Sequence, residues 1–328
     1  MLSGITIACF AACYAIAFAL EMVGLKKRFA WHRLALLGVT VAGFAAHTLY
    51  LADLAVAAKS TPLSSPAEWL LAASWVLVLI YLGAIVNLPR AAAGLFLLPI
   101  ILGLIGAGHF ASEEPFAPER ASRFWGDFHG WMLLLGTVAV CIGFSAGVMY
   151  LIQASWLKRR RPSSDELRLP SLEWLERINT GSLAVSALLI GLGFVSGVIL
   201  SALQHRDETN YVLWTDPVVL SLAAMMLWLV AAELFRLVYP AARRGRKVAY
   251  LTLASFGFLV IALVSLMLLD TVHGTARSSL SKHTPLDCGL RIADCGLWEW
   301  FNPKSASSSP AAAGNPKSHR SARPAYST

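Results

Sequence analysis

Charged side chains are scarce in this chain. They make up 14% of its 328 residues, where an ordinary soluble domain carries about 25%, so its surface cannot face water throughout. Polar interruptions are scarce too. Apolar residues, 57% of the total, come in runs of about 20, the length that crosses a hydrocarbon core as helix. The runs lack the period-two alternation of a barrel strand, and lipid offers backbone groups no partner outside their own segment, which leaves helices. Also missing are a Gly-rich phosphate loop after a strand and a His-Glu-x-x-His pair, and the Gly-x-Ser-x-Gly match at Gly143–Gly147 lies inside an apolar run and not at a strand-to-helix elbow; these are the usual carriers of nucleotide, metalloprotease and acyl-transfer chemistry. No Cys-x-x-Cys-His is present either, so the chain is not itself a c-type cytochrome. The longest stretch between apolar runs, of about 26 residues, is too short for a soluble catalytic domain.

What is there predicts an all-α polytopic membrane protein of about eight transmembrane helices. The expected spans are 2–24, 34–57, 68–88, 91–110, 128–154, 181–203, 216–239 and 249–272. Lys26, Lys27 and Arg28 follow the first run instead of preceding it, the pattern of an uncleaved anchor and not of a signal peptide. The loops at 25–33, 87–92, 156–180 and 236–247 together hold sixteen Lys or Arg, whereas the alternate loops hold only Lys59, Arg120, Arg123 and Arg206. Sixteen against four puts the first set in the cytoplasm, with both termini outside. The net charge of +8 then belongs to topology and to anionic headgroups of the membrane lipid, and no nucleic-acid partner is expected. Three regions follow: residues 1–33 with the first helix, a membrane domain over 34–277, and a tail over 278–328 that is Ser, Ala, Pro and Lys rich from Pro303 and predicted to be disordered. Cys9, Cys13 and Cys141 fall in spans as small apolar residues. Cys288 and Cys295 are candidates for a disulfide on the outer side.

Ionisable residues inside a membrane are functional candidates because each costs free energy to bury. Glu21 and Glu233 lie near cytoplasmic ends, where snorkelling is a sufficient explanation. His47 lies well inside the second span, and Asp53 can reach the outer interface. His109, His129, His205 and His273 all fall at or near the outer face. Convergent imidazoles suit metal or haem iron, while histidine, like Trp and Tyr, also suits the interface for its own sake. The cytoplasmic segment LPSLEWLERI (169–178) has apolar Leu169, Leu172, Leu175 and Ile178 at helical spacing, which predicts a short amphipathic helix along the inner interface.

Several segments together resemble the cytochrome c assembly transmembrane family, which includes haem-handling subunits of the CcsA and ResC type and HemX-like relatives. Phe128-His129-Gly130-Trp131 opens a helix running to Tyr150-Leu151-Ile152-Gln153 and the basic Lys158–Arg161. LPSLEWLERIN (169–179) and GLGFVSGVIL (191–200) match the family's Leu-Pro-x-Leu-Glu helix and its Gly-Phe-containing span. Trp214-Thr215-Asp216-Pro217 is similar to the end of the family's tryptophan-rich signature, Trp-x-Trp-Asp-Pro, and Pro66-Ala67-Glu68-Trp69 with Trp75 to an earlier span start. The likeness covers roughly residues 40–277.

The resemblance implies a membrane component of cytochrome c biogenesis in the bacterial cytoplasmic membrane, binding haem b and presenting it at the outer face. By carry-over, His129 and His273 are axial ligands of the haem iron, with Trp214 and Asp216 left from the aromatic platform. His47 is a further cofactor-binding candidate within the membrane. The implied partners are haem, a second membrane subunit of the assembly system, and apocytochrome c. The chain would be at most a subunit of a haem lyase complex, not an enzyme by itself. The pattern also departs from the family. Val212 or Leu213 stands in place of the first tryptophan, Val218, Val219 and Ser221 replace the usual Lys-Glu and Trp, and Leu234 occupies the place of an intramembrane histidine. A HemX-like accessory protein that binds no haem stoichiometrically is therefore the alternative. A small-solute transporter is a third, for which the inner half of the spans shows no polar chain.

Overall fold

A chain with this much lipid-length apolar sequence must satisfy its backbone within each segment, and a computed structural model shows that it does so as helix. The structure describes residues 6–26, 31–58, 63, 65–88, 92–112, 123–158, 169–204, 216–239 and 245–268, and no strand occurs among them. The helices are α1 (Ile7–Lys26), α2 (His32–Ala58), α3 (Pro66–Asn87), α4 (Gly94–Phe110), α5 (Arg123–Lys158), α6 (Leu172–Gln204), α7 (Pro217–Val238) and α8 (Arg246–Leu268). Seven are long and apolar enough to cross a membrane, and α4 is an apolar helix of 17 residues. At 1.5 Å per residue it spans about 26 Å, the lower limit for crossing. The chain is an all-α, multi-pass membrane protein.

Local chemistry sets several of the helix starts. Ser65 is the N-cap of α3, its hydroxyl accepting the N–H of Glu68 at 3.2 Å ahead of Pro66 in the first turn. Asp216 does the same for α7, its Oδ1 accepting the N–H of Val218 at 2.8 Å with Pro217 in the first turn. Gly245, at φ +82°, turns the chain into α8 through a backbone conformation that strains any side chain.

Sequence neighbours pack antiparallel. His32 at the start of α2 donates from Nε2 to the carbonyl of Leu20 near the end of α1 (2.8 Å). Arg33 reaches the carbonyls of Ile85 and Val86 at the end of α3. Arg246 at the start of α8 reaches that of Ala154 towards the end of α5 (2.8 Å). These arginines therefore satisfy C-terminal carbonyls of a neighbouring helix besides contributing to the charge asymmetry.

Two kinds of packing hold the bundle. In the first four helices large side chains interlock: the buried stripe of α1 is Phe10, Tyr14, Ala17 and Glu21, and Phe44 of α2 stacks on Trp75 of α3. Close glycine contacts occur in both halves: a Cβ at Gly43 of α2 would lie 2.8 Å from Cys13 Cβ of α1. A Cβ at Gly136 would lie 2.6 Å from Ile190 of α6, and one at Gly147 2.8 Å from the Thr252 hydroxyl of α8. Such small-residue seams are how helices associate where lipid removes the hydrophobic drive between them. Asn179, buried on α6, ties this seam with its amide. Its nitrogen donates to Gly143 O (3.1 Å) and Thr252 Oγ1 (2.8 Å), and its oxygen accepts the N–H of Ala249 (3.2 Å).

Two expectations from the sequence are corrected. The segment 169–178 is not a separate interfacial helix: from Leu172 it is the first part of α6. Its apolar stripe of Leu169, Leu172, Leu175 and Ile178 packs against Met149, Tyr150 and Ala249 of α5 and α8 instead of lipid. Helical spacing alone does not say which surface an apolar stripe meets. Glu21 does not snorkel either. It is buried, accepts a hydrogen bond from the Tyr81 hydroxyl at 2.9 Å, and lies against Gly94 at the start of α4, where a helix N-terminus favours a carboxylate. Glu233 is paired with Arg236 at 2.6 Å. Cys9, Cys13 and Cys141 are free thiols.

Candidate functional site

His129 lies in the second turn of α5, half-buried against α6. Its Nδ1 is 2.7 Å from the carbonyl oxygen of Gly193. A carbonyl only accepts, so Nδ1 carries the proton, and the lone pair of the neutral ring lies on Nε2. The hydroxyl of Ser196 donates to the same carbonyl at 2.7 Å and lies 3.4 Å from Nδ1. The ring rests on Gly197, where a Cβ would come within 2.8 Å of its Cε1. The glycines at 193 and 197 let the two helices approach closely enough for this contact.

Aromatic side chains crowd the same helix start. Phe124 stacks on Phe128 (centroids 6.2 Å apart), and Trp125 meets Phe128 edge-on. Phe124 is 69% exposed and Trp131 40%, so part of this aromatic surface is open. From α3, Trp69 donates its indole N–H to the carbonyl of Gly130 at 3.3 Å, and the N–H of Ala67 reaches Ser112 O beyond α4 at 3.3 Å. The starts of α3 and α5 and the ends of α4 and α6 thus share one side of the bundle. His109 is exposed at the end of α4.

His47 is different. It is fully buried, and its ring stacks face to face on Phe10 of α1 at 4.2 Å with an interplanar angle of 3°. The Tyr14 hydroxyl lies 3.4 Å from Nδ1. Nε2 makes no hydrogen bond of good geometry, although the backbone of Leu71 lies close enough to act on the ring. Among the described residues, His47 meets α1 and α3 and His129 meets α6, with no contact between the two histidines. Leu234, where the family resemblance anticipates a histidine, is 59% exposed on α7. Asp53 is exposed, as expected of a residue reaching the interface.

Asp216 is buried, and one carboxylate oxygen is engaged in capping α7. An Asp-Pro pair at a helix start has this structural use whatever else the tryptophan-rich signature does. His273, Trp214, His205, Cys288 and Cys295 lie outside the described residues. Among the described residues, no three His, Cys, Asp or Glu side chains converge as a bare metal ion would require. His129 is an imidazole beside an aromatic surface.

Sequence reasoning missed two parts of this arrangement. The aromatic run Phe124, Trp125, Phe128 was legible as an i, i+1, i+4 face ahead of the histidine, but the more distinctive Trp214 drew the reading away from it. The Gly193 carbonyl carried no signal, since every residue has one.

Compared with known families, residues 36–273 match the family described as cytochrome C assembly protein. Neither the curated proteins nor the solved structures give a significant match.

Proposed function

The chain belongs to the cytochrome c assembly protein family and so acts in cytochrome c biogenesis, and from that premise we propose that it holds haem at the outer membrane face through Nε2 of His129. The observation that carries this reading is the bond from Nδ1 to the Gly193 carbonyl. A second ring nitrogen donating to a carbonyl is the usual arrangement behind a metal-ligating histidine; it orients the ring and makes the ligating nitrogen more basic. Phe124, Trp125, Phe128 and Trp131 supply apolar faces that would remove a porphyrin from water. The haem is cargo for attachment to an apocytochrome, and this chain's share is to bind it, orient it and shield it. His273 is the second axial ligand in this proposal, and Trp214 part of the shelf. The partners are a second membrane subunit and apocytochrome c in the bacterial cytoplasmic membrane.

The sixteen-to-four charge asymmetry supports the outer orientation. A reporter active only in the cytoplasm should work when fused after Arg161 and stay silent after Arg206; the reverse at both positions would place His129 on the inner side. For haem, the test is the absorption spectrum of the detergent-purified protein produced with abundant haem. A Soret band is expected. It should weaken in His129→Ala and in His273→Ala and return in part with added imidazole.

One observation favours a second reading. Asp216, kept from the tryptophan-rich signature, has a sufficient role as a helix cap, so its presence does not require haem. A folded protein with no Soret band under those conditions would make the chain a HemX-like accessory of cytochrome c assembly.

A further inference from the structure

Nothing in the α5 sequence dictates which nitrogen of His129 faces outward or how firmly its ring is held. Those properties come from α6. The carbonyl of Gly193 accepts a hydrogen bond from Nδ1–H at 2.7 Å, the Ser196 hydroxyl donates to the same oxygen, and the bare Cα of Gly197 lies under the ring. Gly193 has a second task on its other side, where a Cβ would fall 2.6 Å from Leu133 Cδ2. It therefore keeps the helices close, and closeness is what brings its carbonyl within reach of the ring.

We propose that the α6 segment Gly193–Gly197 is a positioning cradle for His129, which holds the imidazole as the Nδ1–H tautomer so that Nε2 is the ligating atom, and in which Gly193 and Gly197 are positioning residues. The proposal rests on His129 being a haem ligand for its consequence, but not for its geometry. The two can therefore fail separately. Removing the support behind a ligating histidine lowers metal retention by about 10- to 100-fold in general. A Cβ at Gly197 must shift the ring, because 2.8 Å to Cε1 is closer than Cβ atoms come, and 3.0 Å to Nδ1 is already tight. Ser196→Ala removes the competitor for the Gly193 oxygen and leaves the Nδ1 bond in place, so it should change retention less than twofold, within the context-dependence of such effects.

The experiment uses full-length protein in detergent with ring-15N-labelled histidine. The His129 signal is identified by its loss in His129→Ala, before and after haem is supplied. Haem-free wild type should show the Nδ1–H tautomer, and Gly197→Ala should lose that signature. With haem, Gly197→Ala should retain about tenfold less, change the iron spectrum and recover with added imidazole. An Nε2–H tautomer in the haem-free wild type would overturn the cradle. So would a Gly197→Ala protein with unchanged nitrogen signals and an unchanged iron spectrum. If Gly197→Ala does not accumulate, the wild-type tautomer decides alone. A wild type with the Nδ1–H tautomer but no Soret band would leave the cradle standing and remove the haem reading.

Discussion

His47 and His129 each interrupt an apolar helix, yet the two halves of the bundle treat them in opposite ways. In α1–α4, large side chains fill the interior, and His47 is one of them, stacked on Phe10 and fully buried. In α5–α8, Gly193 and Gly197 let α6 lie close against α5. There His129 is held from behind by a carbonyl and lies half-buried beside exposed aromatics. The difference is between a ring used as filling and a ring presented with one nitrogen committed.

The sharpest way to break this contrast is to exchange the expected phenotypes. Under the proposed function, His129→Ala should lower haem retention by about tenfold or more while leaving thermal unfolding of the apoprotein in detergent nearly unchanged. His47→Ala should do the reverse. The vacated space beside Phe10 should cost about 3 kcal/mol of stability, read as a lowered unfolding temperature, with the iron spectrum of whatever protein remains unaltered. A stable His47→Ala protein that has lost its Soret band would restore the intramembrane site and dissolve the distinction.

A smaller effect tests the α5–α8 seam. Asn179→Leu removes the amide that joins Gly143, Thr252 and Ala249, and should cost about 1.5 kcal/mol, near the upper end for a hydrogen bond between membrane helices. If Asn179→Leu unfolds at the wild-type temperature, close backbone packing alone holds this half together.

Asp216 sharpens the comparison at about 1 kcal/mol. Asp216→Ala should lose roughly that much stability, and Asp216→Asn, which still caps, should keep it. If Asp216→Asn is as stable as wild type yet retains less haem, the carboxylate charge belongs to the haem surface and not only to the helix start. At the small end, Glu173→Ala should alter stability by less than about 0.5 kcal/mol. Its partner Arg177 lies 3.4 Å away with both side chains about four-fifths exposed. A larger loss would show that the start of α6 is more enclosed than its exposure suggests.

Much of the fold was legible before any coordinates. Each of the eight expected spans overlaps one observed helix, because run length in lipid is a sufficient signal. The ends were less legible. The fifth helix begins at Arg123, not 128, and the sixth takes in the segment read as a separate interfacial helix. In both cases helix continues past the hydrocarbon thickness, where hydropathy stops being informative. Glu21 was misread for a related reason. Nearness to a span end allows snorkelling, but Tyr81, 60 residues away, and the start of α4 offered a buried partner instead.

What the sequence by itself determined is the class of solution: helices of membrane length, and caps at Ser65 and Asp216 that start two of them. Those properties depend on residues adjacent in the chain, or on the solvent. Only the tertiary structure decided that His47 stacks on Phe10 and that His129 meets a carbonyl. The Gly193 carbonyl stands 64 residues from His129, and Phe10 reaches His47 from another helix. The close approach that joins each pair follows from the packing of whole helices, which no single segment encodes.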